Sequence, residues 1–341
     1  MPDPIADNRR MEACDVQPDE AGIRKAAEAL RAGGLVSFPT ETVYGLGANA
    51  EMDTAVAAVF DAKQRPSFNP LISHVANVAA ARKLGIFNAV AEKLARAFWP
   101  GPLTLVVPVA PGCRVSLLAR AGLDTLALRV PAHPVARSLL AACNFPVAAP
   151  SANISGAVSP TRAEHVREGL GPRIGAIIDG GACEVGVEST IVSCVDETPV
   201  MLRPGGISRA EIEAVINAPL QRVSAQTHDP DNDGGNTPLA PGMLASHYAP
   251  RARVLLQAAS AGADDAVLDF SGQLSDWAGS VAAYLDLSPS GDLREAAANL
   301  FACLRQLDSR GVAQIAVAPV PRDGIGEAIN DRLARAAADR D

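Results

Sequence analysis

The sequence lacks several features that would assign a protein to a class on sight. Its six cysteines include no C-x-x-C pair, so they indicate neither a zinc knuckle nor a thioredoxin-like motif. No apolar run approaches the ~20 residues that span a bilayer, and the first residues, MPDPIADNRRM, lack the apolar segment of a signal peptide. We therefore expect a soluble, cytoplasmic protein with reduced thiols and no membrane partner.

An excess of positive charge is also missing. Asp and Glu number 38, Lys and Arg number 30, and the net charge is −8. A surface built throughout to bind nucleic acid needs Lys and Arg to neutralise phosphates, so the composition leaves only a local basic site or a weak RNA contact. With 341 residues, of which 48% are hydrophobic, the chain exceeds the ~250 to 300 residues at which a single core stops growing. We expect two domains.

Four segments follow from changes of pattern along the chain. Residues 1–15 are expected to be a disordered N-terminus. Residues 16–216 alternate helical and strand patterns, which indicates an α/β domain whose strands need not all be parallel. Residues 217–251 are rich in Pro, Gly, Asn and Asp and indicate a linker. Residues 252–341 alternate again and predict a second, smaller α/β domain.

Local signals place several boundaries in the first domain. Asp53 is a candidate N-cap of a helix that ends near Lys63, because Pro66 cannot continue it. Ser208 and Glu211 form the S-x-x-E capping box of a later helix. Strands are predicted at the apolar runs LVSF, LISHV, LTLVVPV, TLALRVP, PVAAP, AIID and STIVSC.

The stretch KQRPSFNPLISHV places two cations, Lys63 and Arg65, at the end of that helix. One interpretation is that they interact only with the helix dipole, which is worth ~0.3 to 1 kcal/mol. The other is that they are held for an anion. The two prolines that follow favour the anion, because they restrict the backbone where flexibility would blur a binding site. Asn69 and His74 come shortly after.

An arginine occurs on an apolar strand. Thr125 and Arg129 lie four residues apart in LDTLALRVP, an even spacing that places both on one face of the strand. A buried arginine needs a partner. That partner is either a carboxylate, such as Glu41 or Asp179, or a bound anion, and the sequence leaves both open.

Loops of small and polar residues follow or precede several predicted strands. The rim of an α/β sheet is where such groups meet ligands, although turn chemistry alone also explains them. Neither a Walker A motif nor the full six-residue glycine pattern of a dinucleotide site occurs. The candidates in these loops are Thr40, Ser151, Asn153, Ser159, Ser189 and Arg203.

Taken together, several stretches resemble the YrdC/Sua5 family in content and order, over about residues 20–340. They are FPTETVYGLGANA, KQRPSFNPLISHV, WPGPLTLVV, LDTLALRVPAHP, APSANISG, GVESTIV and LRPGG. The tail, APGMLASHYAP with a small α/β domain after it, resembles the longer Sua5 form. The resemblance implies a YrdC-like twisted mixed sheet with helices and a concave cavity, then a C-terminal three-layer, Rossmann-like α/β Sua5 domain. It also implies that the linker 217–251 passes over the cavity as a lid.

The resemblance further implies a nucleotidyltransferase, threonylcarbamoyl-AMP synthase. This activity makes L-threonylcarbamoyladenylate and pyrophosphate from L-threonine, bicarbonate or carbon dioxide, and ATP. Mg²⁺ would accompany ATP and be held mainly by its phosphates, without a metal site of the protein. The product would feed the tRNA threonylcarbamoyl transferase machinery, which forms threonylcarbamoyladenosine (t6A) next to the anticodon.

The family pattern assigns the candidate residues by position. Lys63 and Arg65 are implied to be the catalytic pair. L-Threonine is implied to be held by Thr40, His74, Arg129, Ala149 and Ser189. ATP is implied to be held by Lys63, Arg65, Asn69, Thr125, Ser151, Asn153, Ser159 and Arg203, with His247 and Tyr248 as contacts from the lid.

Two other functions are compatible with a basic cavity. One is an RNA-binding regulatory module that binds without turnover. The other is carbamoyl transfer of the hydrogenase-maturation type. Proteins of that type add zinc-finger cysteines and an acylphosphatase unit to this domain, and neither occurs in this sequence.

Overall fold

A computed structural model describes residues 13–66, 69–222 and 247–338 of the chain. The first twelve residues of the predicted disordered N-terminus lie outside these ranges, as do residues 223–246 of the predicted linker. Within the described ranges, no helix combines the length and apolar character needed to cross a membrane.

The first domain is a mixed sheet of eleven strands with seven helices among the described residues. Its strands are β1 (Cys14–Val16), β2 (Val36–Pro39), β3 (Tyr44–Asn49), β4 (Ser73–His74), β5 (Leu103–Pro108), β6 (Thr125–Arg129), β7 (Val147–Ala148), β8 (Ala176–Ile178), β9 (Thr190–Ser193), β10 (Val200–Arg203) and β11 (Gln221–Arg222). Its helices are α1 (Glu20–Arg31), α2 (Asp53–Lys63), α3 (Val78–Arg82), α4 (Ala89–Phe98), α5 (Pro134–Cys143), α6 (Ala163–Leu170) and α7 (Arg209–Ile216).

The strand order of this sheet is β1-β8-β2-β3-β7-β4-β6-β5-β9-β10-β11. Parallel and antiparallel pairs alternate irregularly: β2 runs antiparallel to β3, β4 runs parallel to β6, and β5 runs antiparallel to β6 but parallel to β9. The predicted mixed α/β sheet is therefore confirmed. The crossovers bring loops that are distant in sequence to one rim of the sheet.

The second domain is a sheet of four parallel strands in the order β12-β15-β13-β14. Its elements are β12 (Arg253–Leu255), β13 (Ala266–Asp269), β14 (Ala283–Asp286), α8 (Leu293–Asp308), β15 (Gln314–Val317) and α9 (Gly326–Ala337). α8 contacts β13 and β14, α9 contacts β12, and the two helices contact each other. The predicted second α/β domain is confirmed, and the apolar face of α8 is buried in its core.

The core of the second domain extends into the first. Val43, Val158 and Val187 belong to the first domain by sequence, yet they are buried in the same hydrophobic cluster as α8 and β13. The two domains therefore share apolar packing instead of meeting through a polar contact alone.

The structure extends the first domain past both predicted limits. Residues 14 and 15, placed in the disordered N-terminus by the sequence, form β1 together with Val16, and β1 pairs in parallel with β8. At the other end β11 lies beyond residue 216, inside the predicted linker, and pairs with β10. Both segments are too short for a periodic pattern, and only the exposed edge of the sheet gives them hydrogen-bond partners.

One local prediction is wrong, one strand was missed and one prediction is confirmed. α2 starts at Asp53 as a helical residue and has Met52 as its N-cap, because the Asp53 carboxylate accepts a hydrogen bond from the Ser116 hydroxyl instead. Strand β3 was not predicted, since YGLGAN contains glycine at alternate positions, an unfavourable strand pattern. Gly47 is required there, because a Cβ would lie 2.8 Å from the Phe38 ring. The capping box at the start of α7 is confirmed.

Candidate active site

A cavity lies where polar loops of the first domain meet at the rim of the large sheet. The order of the strands explains the meeting: β4 lies between β7 and β6, so His74 is in register with both Val147 and Arg129. Ten predicted site residues line this cavity: Thr40, Arg65, His74, Arg129, Ala149, Ser151, Ser189, Arg203, His247 and Tyr248.

Five predicted site residues do not line the cavity: Lys63, Asn69, Thr125, Asn153 and Ser159. Thr125 begins β6 opposite Pro108, and the strand rise places it ~13 Å from Arg129 at the other end. The structure therefore keeps Thr125 apart from the cavity. The other four are buried and hydrogen-bond to lining residues or to one another.

Lys63 is a buried cation at the end of α2. The helix ends because Gln64 adopts a left-handed backbone with φ of 53° and because Pro66 has no N–H to continue the ladder. The Lys63 side chain turns inward, is 1% exposed, and donates from Nζ to the carbonyl oxygens of Ser151 and Asn153. These acceptors are neutral, so they orient the ammonium group without balancing its charge.

Arg65 is the second buried cation of this turn. Its guanidinium donates to the carbonyl oxygens of Asn69 and Pro70, at 3.5 and 3.3 Å. Within the described part of the chain, neither Arg65 nor Lys63 forms an ion pair with a carboxylate. Burial lowers the pKa of Arg65 to about 10, and burial together with the charge of Arg65 holds the pKa of Lys63 well below its usual value.

Such burial decides between the two interpretations of these cations. A helix-dipole interaction is available to an exposed cation, so it gives no reason for burial. A buried charge without a counter-charge is costly, and a bound anion would supply one. The structure therefore favours an anion site at the end of α2.

Arg203, at the end of β10, brings a third cation to the cavity. Its Nε and Nη2 donate to the Ser189 carbonyl oxygen at 3.2 and 2.9 Å, and Nη2 also reaches Ser189 Oγ at 3.2 Å. The Ser189 hydroxyl in turn shares a 2.8 Å hydrogen bond with Thr104. Arg203 thus holds the loop before β9 in place, and its side chain lines the cavity.

Arg129 has the carboxylate partner that the sequence left open. Its Nη2 lies 2.7 Å from Glu41 Oε1, and both side chains are almost fully buried. The second oxygen of Glu41 accepts from the backbone amides of Ala132 and His133. Burial opposes ionisation of Glu41, but the charge and hydrogen bond of Arg129 outweigh it and lower the pKa of that carboxyl. Because Arg129 also lines the cavity, Glu41 orients a guanidinium that remains available to an anion.

Two histidines of the cavity are neutral. Burial lowers the pKa of both His74 and His247 to about 3. Nδ1 of each ring is buried and has no hydrogen-bond partner among the described residues. Each unpaired ring nitrogen is a polar group that a ligand in the cavity can satisfy.

The structure adds two residues that the sequence did not select. Glu188 lines the cavity and accepts a 2.6 Å hydrogen bond from the Ser159 hydroxyl. Its other oxygen lies 2.8 Å from Nε of Arg332, which comes from α9 of the second domain. The guanidinium of Arg332 lies 5.3 Å from the ring centroid of Tyr248. One signal for Arg332 was available: it occupies the apolar stripe of α9, between Ile329 and Leu333.

The predicted lid residues cover the cavity as far as the structure describes them. His247 and Tyr248 are 5% and 1% exposed and line the cavity. The space left beneath them is about 50 Å³, which holds only a few water molecules. Binding of a nucleotide there would therefore require residues that line this space to move apart.

The cavity offers little to a metal ion by itself. Over residues 13–66, 69–222 and 247–338 there is no cluster of three or more His, Cys, Asp or Glu side chains that could hold one. Among the described residues that line the cavity, Glu188 is the only carboxylate, and both of its oxygens are already engaged. A hard cation such as Mg²⁺ would fit only if it brought ligands of its own, such as phosphate oxygens and water.

Two family models match the chain. The model for the Sua5, YciO and YrdC proteins, described as telomere recombination, matches residues 28–205. A second model, described as threonylcarbamoyl-AMP synthase, C-terminal domain, matches residues 207–338. The first match covers most of the first domain, as far as β10, and the second covers α7, β11 and the second domain.

Individual relatives extend the similarity over both domains. The threonylcarbamoyl-AMP synthase of Bacillus subtilis is 40% identical over an alignment of 341 positions, which covers 96% of this chain and 96% of that protein. The threonylcarbamoyl-AMP synthase of Pyrococcus abyssi is 43% identical over 328 residues, 93% of this chain and 94% of that one. The crystal structure of P. abyssi Sua5 complexed with L-threonine matches with a TM-score of 0.82 at 38% identity, over 96% of this chain and 98% of that chain.

Proposed function

The chain belongs to the YrdC/Sua5 family of threonylcarbamoyl-AMP synthases, and we propose that its cavity joins L-threonine, bicarbonate or carbon dioxide, and ATP. The products are L-threonylcarbamoyladenylate and pyrophosphate, so the enzyme is a nucleotidyltransferase. The observation that carries this proposal is the pair Lys63 and Arg65, two buried cations without a carboxylate partner among the described residues.

The reaction needs alignment and charge neutralisation more than a reactive side chain. The threonine amine loses a proton and adds to carbon dioxide, which gives a carbamate. A carbamate oxygen then attacks the α-phosphorus of ATP, and the bond to the β-phosphate oxygen breaks, releasing pyrophosphate. Two anions must approach each other, so cations held in fixed positions lower the barrier by proximity and electrostatic stabilisation.

The cavity provides one side for each substrate. Arg129, held in place by Glu41, suits the planar carboxylate of threonine, since a guanidinium can donate two parallel hydrogen bonds. His74 lies in register beside it, and Thr40, Ala149 and Ser189 line the same cavity. These five residues form the proposed threonine site.

The remaining cations form the proposed triphosphate side. Lys63, Arg65 and Arg203 neutralise the phosphates, with Ser151, Asn153, Ser159 and Asn69 nearby and with His247 and Tyr248 above. Thr125 is retained in the proposal as an ATP contact only on the family pattern, because it lies at the far end of β6. Mg²⁺, held mainly by the phosphates, would add charge neutralisation to this side.

The unstable product implies a receiving protein. We propose that it passes to a tRNA threonylcarbamoyl transferase, with at most a weak direct contact between this protein and RNA. The net charge of −8 supports the weakness of that contact.

One assay tests the proposal. The protein is incubated with L-threonine, bicarbonate, ATP and Mg²⁺, and pyrophosphate and the adenylate product are measured by enzyme-coupled detection and mass spectrometry. We expect both products only when all three substrates are present. Salt-sensitive binding of RNA without pyrophosphate release would instead support the RNA-binding module and overturn the proposal.

A further inference from the structure

We propose that Arg332 of the second domain is a positioning residue of the cavity: it holds the Glu188 carboxylate in an ion pair and so keeps that negative charge from competing with the phosphates of ATP. The inference rests on the proposed function, since it concerns how the same site accepts its nucleotide. It also gives the second domain a defined part in substrate binding.

The ion pair is buried, and both oxygens of the Glu188 carboxylate have a partner. Arg332 is 0% exposed and Glu188 is 8% exposed, with 2.8 Å between Nε and Oε2. Oε1 accepts from the Ser159 hydroxyl at 2.6 Å. With both oxygens engaged, Glu188 lines the cavity without being free to turn toward the cations there.

Arg332 is itself fixed from other directions. Its Nη1 lies 2.6 Å from Oδ2 of Asp331, its neighbour in the sequence. Its guanidinium lies over the Tyr248 ring, which stacks on Phe301 of α8 at 5.4 Å between ring centroids. A cation over an aromatic ring is attracted to its face, so the orientation of Arg332 is linked to a residue that covers the cavity.

Packing between the domains is what buries Glu188. Val187, its neighbour, belongs to the hydrophobic core of the second domain. Gly186 adopts φ of +73°, and a Cβ on it would lie 2.3 Å from the Ala297 carbonyl oxygen of α8. The loop that carries Glu188 therefore lies directly on the second domain. A carboxylate buried in this way needs a counter-charge, and the second domain supplies it.

Without Arg332, Glu188 would have other cations within reach. The charge of Glu188 acts on Lys63 and Arg203, as the direction of its effect on the pKa of each shows. These groups lie on the side of the cavity proposed to hold the triphosphate. An unpaired carboxylate there would attract those cations and repel the phosphates, so affinity for ATP would fall more than affinity for threonine.

The test compares four variants: R332M, which removes the charge and keeps the length; E188Q; the double variant; and R294M. Arg294 is the matched control, because it also joins the domains through a glutamate, Glu211, at 3.6 Å, but at the surface with 78% of its side chain exposed. Steady-state KM for ATP, KM for L-threonine and kcat are measured for each, together with thermal unfolding.

We expect R332M to raise KM for ATP by about tenfold or more, corresponding to ~1.4 kcal/mol per tenfold, with a change of less than about threefold in KM for L-threonine. Adding E188Q should return KM for ATP to within about threefold of the wild type, because the uncompensated charge is then gone. R294M should match the wild type. A structural role alone would instead lower the folded fraction and thus kcat, leaving both KM values unchanged.

Three results would overturn the inference: an unchanged KM for ATP in R332M, equal rises in both KM values in R332M, or a double variant whose KM for ATP is no better than that of R332M. If R332M does not fold, the neutral R332Q with and without E188Q replaces it. The inference then requires E188Q to lower KM for ATP in the R332Q background, and it fails if KM does not change. Loss of the synthase reaction in the wild type would reject the proposed function itself, a separate outcome.

Discussion

The two domains carry similar groups at the carboxyl ends of their strands and use them differently. In the second domain, Asp269 ends β13 as a fully buried carboxylate that accepts from the backbone amides of Phe270 and Leu274 and from the Tyr284 hydroxyl. Every one of these donors comes from the same domain. The carboxylate therefore stabilises the carboxyl end of β13 within its own domain.

In the first domain, the corresponding rim keeps polar atoms without partners. Buried atoms that have no hydrogen-bond partner among the described residues include Nδ1 of His74 and His247, both side-chain polar atoms of Asn69, and Oδ1 of Asn153. Leaving such a group unpaired costs ~1 to 3 kcal/mol. The difference teaches that this rim of the first domain reserves hydrogen-bonding capacity for a ligand, whereas the end of β13 uses its capacity for its own fold.

The strongest test of this comparison is Arg65→Ala. We expect turnover to fall by ~10² to 10³-fold, the size of effect seen when one donor to developing charge is removed. The free energy of unfolding should fall by only ~1 kcal/mol, because the two hydrogen bonds of Arg65, at 3.5 and 3.3 Å, are long. Pyrophosphate release and thermal unfolding measure the two quantities. Arg114→Ala, an exposed arginine of the same domain, serves as the control and should keep full turnover.

Lys63→Ala is the less specific version of that experiment. The side chain holds the Ser151 and Asn153 carbonyls, so its removal also leaves buried acceptors unsatisfied. Wild-type turnover in both the Arg65 and the Lys63 variant would reject the assignment of this pair.

The second domain should show the opposite behaviour in Asp269→Ala. Two buried backbone amides and the partly buried Tyr284 hydroxyl lose their acceptor, so the free energy of unfolding should fall by ~3 kcal/mol, as read from urea denaturation. Turnover per folded molecule should stay within about twofold of the wild type, because Asp269 contacts no substrate in the proposed function. The exposed Asp276 provides the control substitution, which should leave both quantities unchanged. A large loss of turnover in folded Asp269→Ala would break the comparison.

A smaller effect concerns pH. Histidine has a pKa of ~6.5 in an unfolded chain, whereas burial lowers it to about 3 for His74. The unfolded state therefore binds more protons below pH 6.5, so stability is complete above that pH and falls on acidification, by ~2 kcal/mol per such histidine down to pH 5. Urea titrations at several pH values should show a shallower dependence for His74→Asn.

The control for that titration is His133→Asn. His133 is only partly buried and its pKa is lowered to a lesser extent by burial, so the same substitution should change the slope less. Residues 252–341 contain no histidine, so the histidine contribution to acid sensitivity comes from the first domain and its linker. An unchanged slope in His74→Asn would contradict the burial-based pKa.

Much of the fold follows from local sequence signals. Ser208 and Glu211 satisfy each other across three residues, so the start of α7 is determined by neighbours in the chain. The end of α2 follows in the same way from Pro66, and it delivers Lys63 and Arg65 to the site. Apolar runs bounded by polar loops were sufficient to locate β4 to β9.

Other features depend on contacts that no local pattern contains. The pairing of Arg332 with Glu188 joins residues 144 positions apart, and only the docking of two complete domains creates it. Strand β3 depends on its place between β2 and β7, where glycine is needed against Phe38. Asp53 was predicted to be an N-cap, but its carboxylate accepts a hydrogen bond from the hydroxyl of Ser116, which is distant in sequence.

The three valines shared between the domains have a consequence for heat inactivation. Val43, Val158 and Val187 are buried in the second domain's core, and each is bonded in the chain to a residue of the cavity or of its supporting wall. Melting of that core would release the loops that shape the cavity even while the large sheet remained intact. The temperature at which heated protein stops catalysing the reaction should therefore coincide with the unfolding transition of the smaller domain, as measured by calorimetry.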